Sequence, residues 1–142
     1  MEYRKVREDY VIRFDKGEEI TERLVKFANI EGIGCASISA IGASSDFICG
    51  ALNLSEMEYS FKEYHGDYEI ASMSGSITCK DGKPYMHIHG VFANSKGEVV
   101  AGHVAKAKIS VTCEMFVHVL DGTVERVWSE EAGANLMRIT NE

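Results

Sequence analysis

The chain has 142 residues, 45% of them apolar and 26% charged, which suits one compact domain spanning residues 1–142 and argues against two. Fifteen Lys and Arg against 22 Asp and Glu leave a net charge of -7, which disfavours a general nucleic-acid coat protein. No run of about 18 apolar residues occurs to form a transmembrane helix, and Met1-Glu2-Tyr3-Arg4-Lys5 carries no export signal, so a cytoplasmic protein is expected.

A period-two stretch from Val6 to Phe14 reads as a strand ending at the turn Asp15-Lys16-Gly17. The period then changes. Ile20, Leu24, Phe27 and Ala28, with Ile30, fall at helical spacing, and Glu18, Glu19 and Glu22 place negative charge where a helix N-terminus favours it. One amphipathic helix is predicted from Glu18 to Glu31, stopped at Gly32. Ile33 to Ile41 reads as a buried strand. Extended segments follow at Phe47–Leu54, Met57–Tyr64, Tyr68–Thr78, Tyr85–Ala93, Glu98–Val104, Ile109–Leu120 and Thr123–Trp128. Turns are expected between them, among them Gly42-Ala43-Ser44-Ser45, His65-Gly66-Asp67 and Ser95-Lys96-Gly97. The class is α+β, a mainly antiparallel, strongly twisted sheet with one main helix. Only Thr140 to Glu142 are expected to fray.

Cys35, Cys49, Cys79 and Cys113 are widely spaced, with no CxxC pair, and read as reduced core thiols rather than a disulfide framework or a sulfur-ligated zinc site.

Three of the five histidines cluster in Met86-His87-Ile88-His89-Gly90 and Gly102-His103. Residues two apart in a strand share a face, so His87 and His89 project together while Met86, Ile88 and Phe92 face a core. A three-residue loop at Ser95-Lys96-Gly97, with Gly97 left-handed, pairs Asn94 with Glu98 and, stepping outward, His89 with His103. Opposed Cβ atoms lie about 4.5–5.5 Å apart and diagonal ones about 7–8 Å, so His87, His89 and His103 form a triangle. Gly90 and Gly102 oppose each other beside it. Three nitrogen ligands with an open position suit zinc, and nickel, cobalt, iron or copper accept the same donors. The alternative is three half-buried histidines bonded to neighbours; a one-residue slip would break the triangle.

Glu69 is an acid in an otherwise apolar, small-residue strand, a candidate fourth ligand or proton carrier. Glu114 shares a strand face with Ser110 and Thr112 and is the second candidate catalytic carboxylate. A structural acid and a polar sheet face are the simpler readings of the two. His65 falls in a turn, and His118 in a strand by ordinary packing. No arginine stands out near the histidines.

Together, Gly17-Glu18 opening a helix that reaches Phe27-Ala28, Ser39-Ala40-Ile41-Gly42-Ala43, Glu69-Ile70-Ala71-Ser72-Met73-Ser74-Gly75, Met86-His87-Ile88-His89, Gly102-His103 and Thr112-Cys113-Glu114 resemble the plants and prokaryotes conserved (PPC) domain. The resemblance covers nearly the whole chain. It implies a stand-alone homotrimer whose metal, usually taken as zinc, is held at His87, His89 and His103. In land plants the domain follows an AT-hook in nuclear DNA-binding regulators. This chain lacks the hook's Arg-Gly-Arg-Pro core, its one proline is Pro84, and its charge is negative. The fold implied is similar to that of acetolactate decarboxylase, a longer zinc lyase with an HxH pair and a later histidine.

Three functions follow. The first is a trimeric, metal-binding module that senses a small-molecule ligand or mediates interactions. The second is a metal-dependent lyase or hydrolase acting on a small carbonyl or carboxylate substrate. The third is a DNA-binding regulator, which needs a basic patch built from Arg4, Lys5, Arg7, Lys106, Lys108 or Arg126 across subunits.

Overall fold

The computed structural model describes residues 1–140, so the fraying expected at Asn141 and Glu142 lies outside the described residues. The elements are β1 (Glu2–Val6), β2 (Asp9–Asp15), α1 (Ile20–Glu31), β3 (Ala36–Asn53), β4 (Glu58–Lys80), β5 (Lys83–Asn94), β6 (Val99–Val119), β7 (Arg126–Ser129) and β8 (Ala134–Met137). Six strands form one antiparallel sheet in the order β1-β2-β6-β3-β4-β5, and β7 with β8 forms a separate ribbon. Because the start of β6 also pairs with β5, the four long strands β3, β4, β5 and β6 close into a ring.

Fewer, longer strands replace the short ones predicted. Gly42 to Ser45 is no turn: β3 runs through it with register shifts on both sides, so the same small residues make a bulged bend. β4 likewise passes through His65-Gly66-Asp67, and β6 spans Val99 to Val119 without a break. At the N-terminus the strand predicted from Val6 to Phe14 is β2, starting at Asp9, and β1 precedes it unpredicted. The turn between them places Arg7 at φ 58, and Val6 pairs directly with Asp9.

Helix α1 begins two residues later than predicted, because Glu19 caps it: its carboxylate accepts from the backbone N–H of Thr21 and of Glu22, at 3.0 and 2.7 Å. The same carboxylate accepts from Ala107 N at 3.0 Å, which fixes the helix start to β6. Gly32 ends the helix at φ 67, as predicted. Ile20, Leu24, Phe27 and Ala28 are buried, whereas Ile30 is exposed on the far side of the helix.

Inside the ring, Phe47 and Phe92 stack with centroids 3.8 Å apart among Ile70, Met73 and Ile88. Burial of this kind contributes about 1.5–3 kcal/mol per large side chain. All four cysteines are free, with Cys49 and Cys113 buried. No helix among the described residues is long and apolar enough to cross a membrane.

Candidate metal centre

On β5 the inward positions are Ile88, Gly90 and Phe92, all buried, so His87 and His89 stand on the outer face of the ring. Asn94 and Glu98 flank the predicted three-residue loop, with Asn94 N donating to Glu98 O at 3.1 Å and Gly97 at φ 80. Asn94 Oδ1 stiffens it by accepting from the backbone N–H of Lys96 and of Glu98. The register follows: His89 pairs with His103 and Gly90 with Gly102.

The three rings converge as predicted. Their centroids are 5.1 Å apart for His87 and His89, 5.2 Å for His87 and His103 and 5.6 Å for His89 and His103. One potential ligand atom from each lies within 4.8 Å of the others. His87 Nε2 and His89 Nε2 are 3.2 Å apart. Nitrogens on a tetrahedral zinc with bonds of about 2.0–2.1 Å are separated by about 3.3–3.4 Å, so this pair matches such an ion closely. His103 Nδ1 is buried with no hydrogen-bond partner among the described residues. An orphaned imidazole nitrogen beside two others fits a metal better than it fits a hydrogen-bonded core.

Burial, the positive charge of Arg126 and the neighbouring His89 all lower the His87 pKa. His103 is pushed down to about 4, by burial first and then by His87 and His89. Both rings are therefore neutral at physiological pH, the form that ligates metals.

The site opens into a cleft of about 570 Å³. His87 and His103 line it together with Tyr59 and Tyr85, and Trp128 and Asn135 of the β7–β8 ribbon complete it. Tyr59 and Phe61 pack on the His103 ring at 5.1 and 5.9 Å.

Arg126 is the residue that sequence reasoning missed here and placed instead in a surface patch. It is only 6% exposed. Its Nε donates to Thr78 Oγ1 at 2.8 Å, Nη1 to Asn135 O at 2.8 Å and Nη2 to Ser76 Oγ at 3.3 Å, with His87 Nδ1 a further 3.5 Å from Nη2. Strand β8, which supplies Asn135, had also gone unpredicted.

Glu69 and Glu114 are not brought to the histidines. Both are exposed and share a separate shallow depression with Ile41 and Thr112. Glu69 pairs with Ala43 and Ala93, well along β4 from Ser74, the partner of His89. His65 and His118 also lie apart, each with Nδ1 3.0 Å from a carboxylate oxygen, of Asp46 and Asp9 respectively.

A closed antiparallel ring with one capped helix and a triad of imidazoles on its outer face defines the class of protein. The family model of the Plants and Prokaryotes Conserved (PCC, equally PPC) domain matches residues 1–121, and the chain belongs to that family. A metal-containing protein from Archaeoglobus fulgidus is 35% identical, with 97% of each chain covered and a TM-score of 0.88. A candidate DNA-binding protein from Bacteroides thetaiotaomicron is 25% identical over 96% of each chain, at a TM-score of 0.92. Acetolactate decarboxylase from Bacillus subtilis shares the fold more distantly: 13% identity and a TM-score of 0.57, over 82% of this chain and 54% of the enzyme. No curated protein matches the chain.

Proposed function

We propose that this PPC-domain protein binds a metal ion, zinc in the first instance, through His87, His89 and His103, and acts as a cytoplasmic homotrimer that senses a small-molecule ligand. The observation that carries the reading is the convergence of three imidazoles, with one nitrogen orphaned, at the edge of a cleft. The metal-containing relative from Archaeoglobus fulgidus supports it. When bound, zinc would supply a Lewis-acidic centre. The chain's own part is to keep His87 and His103 neutral and to line the approach with Tyr59, Tyr85 and Trp128.

The second reading, a metal-dependent lyase or hydrolase, is favoured by the cleft and by Arg126 beside His87. It loses its candidate proton carriers, because Glu69 and Glu114 stand elsewhere. Direct DNA binding has less support, since Arg126 is buried out of any surface patch and the net charge is -7.

Elemental analysis of the purified protein beside His87→Ala, His89→Ala and His103→Ala tests the first reading. About one metal ion per chain is expected in the parent, with loss in each variant and retention of the fold by circular dichroism. A folded parent that takes up no zinc, nickel or cobalt would overturn it.

A further inference from the structure

A buried guanidinium needs a counter-charge or a complete set of acceptors, because taking an isolated charge out of water costs several kcal/mol. Arg126 has neither. Its three hydrogen bonds all go to neutral groups, Thr78, Ser76 and the Asn135 carbonyl, and its remaining polar neighbour, the His87 ring 3.5 Å from Nη2, is also uncharged. The guanidinium carries five N–H donors, so at least one is left over. It lies against the Tyr85 ring, with Cζ 5.1 Å from the centroid, and it lines the cleft. In the same wall, Asn135 Oδ1 is buried with no partner among the described residues, while its Nδ2 donates to Tyr85 Oη at 3.4 Å. A positive charge without an anion thus lines the cavity, while the unpartnered Asn135 Oδ1 is closed off behind its wall. The rest of its lining is largely apolar, with Met57, Tyr59, Trp128 and Leu136, and the volume is in the range of small-molecule sites. Glu58 also lines the cleft, but it is exposed and makes no ion pair with Arg126.

We infer that this cleft binds a small organic carboxylate with an apolar body: the carboxylate pairs with Arg126, and the body packs on Tyr59 and Trp128. This assigns the ligand class of the proposed sensor site. The anion site itself stands on Arg126 and the cavity, with or without a metal at the histidines.

The test is calorimetric titration of the metal-free protein with mandelate, which carries a carboxylate and a phenyl ring, and with its neutral amide as control. Binding of mandelate is expected, at least tenfold tighter than the amide and weakened as salt is raised. Because Arg126 also holds the β7–β8 ribbon to β4, its variants risk misfolding. The parent is therefore followed by 15N NMR of the Arg126 Nε–H, which is expected to shift on titration. No binding by the metal-free parent, equal affinity for acid and amide, or an unmoved Arg126 resonance at saturation would each overturn the assignment. Since no metal is present in these titrations, failure here and failure of zinc uptake are read separately.

Discussion

Gly75 lies between the positions opposite His87 and His89, and a Cβ there would meet the His87 carbonyl oxygen and Ile88 Cα. Glycine therefore sets how closely β4 approaches the strand that bears two of the histidines. Gly75→Ala is expected to destabilise the protein by about 1–3 kcal/mol, the usual cost of forcing a packed backbone apart, and to weaken zinc retention. Denaturant unfolding with a zinc competitor checks both; a midpoint equal to that of the parent would show that the two strands part easily. At this scale the histidines were legible, since a period of two and one left-handed glycine suffice to place three side chains together. Arg126 was not. Its contacts run to Ser76, Thr78 and Asn135, and no spacing rule links them; only the docking of β7 on the outer face brings it beside His87.

Among the elements, α1 is tied at both ends by glutamates. At its C-terminal end the Glu31 carboxylate accepts from Tyr3 Oη at 2.6 Å and Tyr10 Oη at 2.7 Å, joining the helix to β1 and β2. Those two hydroxyls hold its pKa below the ordinary glutamate value, against a small opposing effect of burial and with help from Lys5. A carboxylate depressed in the folded state stabilises above its unfolded pKa, and that stabilisation disappears as pH falls through the lowered folded value. Glu31→Gln is thus expected to melt below the parent at pH 7, with the gap closing towards pH 3; thermal scans across that range decide it, and a constant gap would point to packing instead. Helix and strand content was readable from periodicity and from the caps. The turns were less so, because Gly42-Ala43-Ser44-Ser45 has the composition of a turn and of a bulge alike, and only pairing on both sides with β4 and β6 selects the bulge.

At the scale of the molecule, the sheet ends on β1, an open edge, and its outer face carries Val11 directly opposite Phe116, with Ile41 opposite Glu114 nearby. Phe116 and Ile41 are each 60% exposed, an arrangement suited to contact between subunits. If the homotrimer proposed above uses this face, light scattering will give about three times the 15.7 kDa chain mass for the parent. Phe116→Asp should then lower it to one chain; an unchanged mass would move the interface elsewhere. The closure of the ring has a further consequence. β5 and β6 share only the five pairs from His89–His103 to Ala93–Val99, the shortest contact in the circle, and the histidine pair is its last rung. An ion bound at His87, His89 and His103, as proposed above, would sit at the mouth of that seam and pin its last rung, tying the outer face to the strand that carries Phe92.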